Sequence, residues 1–412
     1  MFSLSSKSLA NPRLMMVLIL GFTSGLPFAL TSSTLQAWLS ESHINIHLIG
    51  ALSLLGIPYT LKFLWAPLLD HFGFKSLGKR RGWILITQLG TAFTLFLMAG
   101  MQPSTQINLM MTIAFFVVFL SATQDIAIDA YRTDILQPQE MGLGASYFVL
   151  SYRIALLVAG GLALIIADQW GWRLTYQFMG CLILFTMIPT WFAPQPKEYV
   201  SQSLEKTFVA GIKDLFQRDK IIILLLFVVL YKFGDALALS LMTNFLINGL
   251  GFSLSEIAFA YKFMGIIATI LGGFVGGILL LRWDIYRGLL VFGLAQAFSN
   301  LMFVVLALTG KVVGIMAFAI FVENFCSGLS TAAFFAYLMS ICNHRYTAAQ
   351  YALLTAIFSL GRVFLGPVAA VIVENFGWIQ LFLWAFVMCF PGILMLILLK
   401  DRVLYHAQFS TK

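Results

Sequence analysis

The sequence predicts an all-α membrane protein of twelve transmembrane helices, in two six-helix halves with both termini cytoplasmic. Its 412 residues are 60% hydrophobic and only 10% charged, with mean hydropathy +0.92. A water-facing surface needs roughly 25% charged residues, so no soluble domain can be built from this composition. Apolar runs of about 18 residues or more recur along the whole chain, and about 20 helical residues match the hydrocarbon thickness.

In order, the expected spans are Leu14–Leu39, His47–Leu69, Trp83–Met101, Ile107–Leu136, Gly142–Ala167 and Leu174–Ala193, then Ile221–Asn248, Leu254–Leu281, Tyr286–Thr309, Val312–Ile341, Thr347–Val373 and Phe376–Leu399. The first is read as a retained helix, because it is long, contains Gly25 and Pro27, and has no small-residue cleavage site. The net charge of +8 reflects membrane topology rather than a nucleic-acid partner. With the N-terminus inside, 18 of the 25 Lys and Arg residues fall on cytoplasmic ends and loops, and only Arg173 and Lys311 fall on the other side.

The hydrophilic stretch 194–220 divides the chain into bundles 1–193 and 221–412, and it carries an expected surface helix over Leu204–Phe216. Weak internal likeness supports duplication: Gly25-Leu-Pro-Phe-Ala-Leu30 aligns with Gly234-Asp-Ala-Leu-Ala-Leu239, and Ala130-Tyr131 with Ala336-Tyr337.

Five cations lie within spans: Lys62, Arg153, Lys232, Lys262 and Arg362. Away from the span ends there are four carboxylates, Asp125, Asp129, Asp235 and Glu323. Ionisable groups in hydrocarbon are costly unless they pair or line a wet cavity, so each is a functional candidate. Asp125 and Asp129 are four apart on one helix face, with Arg132 three further on. Neighbouring carboxylates in low dielectric suit a proton-coupling site; the bland alternative pairs Asp129 with Arg132 or Arg153. Lys232 and Asp235 either form an intrahelical ion pair, or protonation of Asp235 frees Lys232 to hold an anion. The proton-coupling candidates are therefore Asp125, Asp129, Asp235 and Glu323.

The candidate substrate contacts are Lys62, Tyr59, Gln124, Tyr152, Arg153, Tyr231, Lys232, Lys262, Asn324 and Arg362. The five deep cations against the four deep carboxylates make the cavity near neutral to mildly positive, which suits an anionic solute. Tyr131, Tyr261, Tyr337 and Trp65 also flank these charges, and aromatic rings beside hydrogen-bonding groups suit sugar faces.

Other features are bland. Cys181, Cys326, Cys342 and Cys389 lack metal-type spacing and read as packing residues. His43 and His47 read as solvated loop residues, and no metal or organic cofactor is expected. Gly272-Gly273 and Gly276-Gly277 read as a helix-packing face. A phosphate-binding glycine loop, a His-Glu-x-x-His pair and a nucleophile elbow are all missing from the sequence, so no enzyme is expected.

Several segments carry a resemblance. The loop from Asp70 through Gly73 to Lys79, Arg80 and Arg81 resembles the cytoplasmic latch motif of the major facilitator superfamily, although it also suits an ordinary positive-inside loop. Ser24-Gly-Leu-Pro-Phe, Ile57-Pro-Tyr-Thr-Leu-Lys-Phe-Leu-Trp-Ala-Pro-Leu-Leu-Asp70, Ala122-Thr-Gln-Asp-Ile-Ala-Ile-Asp-Ala-Tyr-Arg132 and Tyr231-Lys-Phe-Gly-Asp-Ala236 resemble the AmpG-type muropeptide permeases of that superfamily, relatives of the acetyl-coenzyme A transporters. The resemblance marks Lys62, Asp125, Asp129, Lys232 and Asp235 as positions of the family pattern. It implies a place in the bacterial inner membrane, with the substrate site between the halves near the midplane, and a monomer is expected. It also implies proton-driven import of anhydromuramyl sugar-peptides, the proton gradient being the energy source. The chain ends soon after its twelfth span, whereas enteric permeases carry further C-terminal helices. That difference keeps a siderophore or a coenzyme A-type nucleotide open as cargo, and a non-transporting receptor remains the reading from another class.

Overall fold

The computed structural model describes residues 11–74, 77–137, 140–195, 212–217, 220–342 and 347–400. The expected linker helix lies mostly outside the described residues, of which 212–216 are helical.

The chain begins with α1 (Pro12–Thr31), opened by Pro12 at its first position and by the Asn11 side chain, which accepts from the Arg13 amide. Pro27 has no N–H to donate to the Thr23 carbonyl, and one turn further on the Thr31 and Ser32 hydroxyls donate to Pro27 O and Phe28 O. The chain bends at Ser32 into α2 (Ser33–Glu41). The second span is the most broken. It runs through α3 (Ile46–Ala51), a 3-10 turn over Leu52–Gly56, α4 (Ile57–Leu61), a second 3-10 turn over Lys62–Leu64 and α5 (Ala66–His71). Pro58 and Pro67 each open a new short helix, which explains the interruptions.

Next come α6 (Lys79–Ala99), α7 (Pro103–Ile135) and α8 (Met141–Leu157), then a π turn over Val158–Leu162 and α9 (Ala163–Trp191). The later part comprises α10 (Ile221–Leu230), α11 (Phe233–Ser240) and α12 (Met242–Asn244), followed by a π turn over Phe245–Gly249. A reciprocal Ser253–Glu256 cap starts α13 (Leu254–Ile257), and a π turn over Ala258–Phe263 leads into α14 (Met264–Leu280). The rest are α15 (Ile285–Ser299), α16 (Leu301–Thr309), α17 (Val313–Ser340), α18 (Thr347–Val387) and α19 (Phe390–Leu398).

Among the described residues, ten segments are long and apolar enough to cross a membrane. Two of them, Leu143–Trp191 with 49 residues and Leu353–Leu398 with 46, are about twice the length one crossing requires. Gly171 (φ 80°, ψ 165°) and Gly377 (φ 82°, ψ 176°) interrupt them in a region of backbone space that only glycine occupies readily. Gly171 falls between the expected fifth and sixth spans and Gly377 one residue inside the expected start of the twelfth, so the ten segments accommodate twelve spans.

The solvation pattern is that of a lipid-facing protein. Leu281, Phe192 and Ile222 are more than 70% exposed, whereas Gln88, Gln124, Asn300 and Glu323 are completely buried. The chain divides into two compact units. The first gathers the described residues of Met1–Ile44, Leu55–Tyr199 and Ser253–Ala258; the second gathers those of Asn45–Leu54, Val200–Phe252 and Phe259–Lys412.

Within the first unit, α1 and α8 approach closely at Gly21 and Gly25. A Cβ at Gly25 would lie 2.8 Å from both the Ala155 Cβ and the Tyr152 carbonyl oxygen. Within the second unit, α14 and α17 meet through glycines. A Cβ at Gly272 would overlap the Phe325 carbonyl, and one at Gly276 would lie 3.1 Å from Leu329 Cα. Gly277 has open space beside it, so the packing face is narrower than the paired glycines suggest. His47 is not a free loop residue: its Nε2 lies 2.5 Å from Glu374 of α18. Arg80 Nε donates to Asp134 at 3.0 Å, and Arg81 reaches the carbonyls of Leu77, Trp191 and Ala193. Gly73 packs against Lys79, and the Asp70 side chain lies outside the described set.

Candidate functional site

Each unit holds a cluster of the charged side chains singled out above. In the first, the close α1–α8 crossing brings Ser24 to α7, where its Oγ donates to Asp125 Oδ1 at 2.5 Å. One turn further along α7, Asp129 is held from two sides, by Lys62 Nζ at 3.4 Å and Arg132 Nη2 at 3.4 Å. Lys62 stands in the 3-10 turn of the second span, so the break in that helix aims it at α7. It is also the cation that acts on Asp125. The Asp129 side chain is 47% exposed, so this pair is open to solvent. Arg132 stacks over the Phe148 ring at 4.4 Å.

Around these charges, Tyr59 donates to Ser121 Oγ at 2.8 Å, and Trp65 Nε1 to Thr123 Oγ1 at 3.1 Å. The Tyr152 ring stacks on Phe148, with centroids 6.4 Å apart. Gln124 is completely buried, and among the described residues neither of its amide atoms has a hydrogen-bond partner. Arg153 is half-buried and has no ion-pair partner among the described residues.

The second cluster is drier. The helix breaks between α10 and α11, and Lys232 occupies the break while Asp235 sits in the first turn of α11, where the helix N-terminus favours a carboxylate. Lys232 Nζ lies 3.4 Å from Asp235 Oδ2 and also donates to Ser327 Oγ at 3.2 Å and to Ser327 O at 3.3 Å. Ser327 Oγ donates in turn to Asp235 Oδ2 at 3.4 Å. Gln296 of α15 spends both amide hydrogens on carboxylates, donating to Asp235 Oδ1 at 2.8 Å and Glu323 Oε1 at 3.3 Å. Glu323 and Ser327 are four apart on α17 and share a face.

Tyr261 and Lys262 lie in the π turn ahead of α14, and the Lys262 ammonium sits 4.3 Å from the Tyr261 ring centroid. Single π turns recur at functional sites because they re-aim side chains. Asn324 accepts from Thr269 at 3.2 Å, beside Gly265. Tyr231 belongs to packing: it donates to Leu289 O at 2.7 Å and stacks on Phe334. Tyr131 caps Pro194 O at 2.8 Å. Arg362 is exposed on α18.

Ser24, Gln296 and Ser327 were not among the expected site residues. Ser24 stood inside a family-like segment, and Gln296 is an amide in a largely apolar run, with Asn300 four residues on, which is the signal that marks it. Ser327 carries no such signal.

The family model described as Major Facilitator Superfamily matches residues 17–354. An anhydromuropeptide permease of Escherichia coli K12 is 44% identical over 398 residues, covering 96% of this chain and 81% of the relative. An uncharacterized protein of Haemophilus influenzae is 36% identical over 408 residues, covering 96% of each chain. Among solved structures, the D-xylose-proton symporter superposes with TM-score 0.73 at 12% identity, covering 94% of this chain and 96% of that one. The nucleoside transporter NupG superposes with TM-score 0.73 at 16% identity, covering 93% and 99%. This multi-pass membrane transporter of small molecules belongs to the major facilitator superfamily, in its AmpG-type branch.

Proposed function

We propose that the chain imports anhydromuropeptides from periplasm to cytoplasm, driven by the proton gradient and needing no other cofactor. The observation that carries this reading is the 44% identity with the anhydromuropeptide permease over 96% of the chain. The geometry supports it. Anhydromuropeptides combine carboxylates with a sugar ring. Lys262 faces a tyrosine ring and no carboxylate, and Arg153 lacks an ion-pair partner among the described residues, so both are available to anionic groups. Tyr59, Tyr152 and the unpartnered Gln124 amide offer ring faces and hydrogen bonds suited to a sugar and an amide backbone.

Deleting the gene in its native host tests the cargo. We expect anhydromuropeptides to accumulate in the medium and the gene in trans to stop the release. Unchanged release in a strain without a second permease contradicts the proposal.

A further inference from the structure

Glu323 differs from the other three deep carboxylates, Asp125, Asp129 and Asp235. Asp129 has two cations at 3.4 Å and is half exposed. Asp125 accepts from Ser24 and borders Lys62, whose side chain is one third exposed. Asp235 receives Lys232, Gln296 and Ser327. Glu323 is completely buried, has no cation within ion-pair distance among the described residues, receives no donor at Oε2, and has its carboxyl within hydrogen-bond reach of the Asp235 carboxyl.

The ionisable groups facing it are Asp235 and Lys232 from the broken seventh span, Tyr261 from the π turn and Cys326 on its own helix; Cys389 faces Asp235. With both acids ionised, two carboxylates share one ammonium in a site closed to water. An uncompensated charge there is costly, and a single proton restores neutrality. Gln296 bridges both acids, so it fixes which oxygen of Glu323 is engaged and which is left to carry the proton.

We propose that Glu323 is the proton-carrying residue of the transport cycle, with Gln296 as its positioning residue and Lys232–Asp235 as a fixed counter-pair. The inference rests on the proton-driven reading above and narrows it to one atom. Loading adds a proton at Glu323 Oε2, and unloading returns the carboxylate when the cluster opens toward the cytoplasm.

Infrared difference spectroscopy of the purified full-length chain across a pH titration tests the site without cargo. A protonated carboxyl C=O band is expected in the parent, retained in Asp129→Asn and absent in Glu323→Gln. Gln296→Leu should shift the pH midpoint of that band, which a merely structural amide would leave in place. If Glu323→Gln fails to fold, Glu323→Asp carries the test through a moved band frequency. A band that persists in Glu323→Gln, or is unmoved in Glu323→Asp, overturns the assignment.

In proteoliposomes given labelled anhydromuropeptide, the ratio of uptake with a pH gradient to uptake without one should fall about tenfold or more in Glu323→Gln. An undiminished ratio overturns it as well. A parent that shows the Glu323 band yet does not take up this sugar-peptide sinks the cargo reading and leaves the proton site standing.

Discussion

Lys232 and Asp235 differ from Lys62 and Asp129 in burial rather than distance, since both pairs are 3.4 Å apart. Their side chains are 7% and 11% exposed, against 33% and 47% in the other pair. Removing one partner from a buried pair strands the other, at a cost of about 3–5 kcal/mol, whereas a solvent-open pair contributes ~1 kcal/mol or less. Asp235→Asn should therefore lower thermal stability in detergent far more than Asp129→Asn, and Lys232→Met combined with Asp235→Leu should restore much of the loss. Equal effects of the two single substitutions, read by intrinsic fluorescence on heating, would contradict this ranking. The charged candidates were legible in the sequence because ionisable residues in apolar runs have no cheap explanation. Which pair is dry was not legible, because burial depends on helices distant in sequence. Tyr231 illustrates the limit: it neighbours Lys232 in the chain, yet the helix break turns it into the apolar core beside Phe334.

At the level of elements, short-range rules identified most helices, but prolines and π turns divided several of them. The second span was expected as one helix and is five pieces, and its Lys62 turn is what presents the ammonium to α7. Glycine spacing announced the α14–α17 contact, but which glycines meet backbone could not be known without the crossing geometry. Gly272→Leu and Gly276→Leu should impair folding, because each side chain meets the α17 backbone. Gly277→Ala should be neutral or stabilising by about 0.5–1 kcal/mol, since it adds helix propensity in open space. Yields of monodisperse protein and unfolding temperatures check both, and a Gly277→Ala variant as damaged as Gly272→Leu would refute the assignment.

For the whole molecule, hydropathy and charge made the fold class readable, and the superposition on transporters of 12–16% identity places it in a shared architecture. Orientation rests on the Lys and Arg distribution, because nothing in helix packing distinguishes the two membrane faces. In a cysteine-free background, Lys311→Cys should react with an impermeant maleimide on intact spheroplasts, and Lys213→Cys should react only after lysis. The reverse pattern would invert the topology.

Proton-driven import is tested by uptake of labelled anhydromuropeptide into proteoliposomes containing the purified chain, with the lumen more alkaline than the outside. Accumulation above the external concentration, abolished by a protonophore, is the predicted result. Uptake indifferent to the pH gradient, or accumulation of an unrelated anion with exclusion of the sugar-peptide, would contradict it.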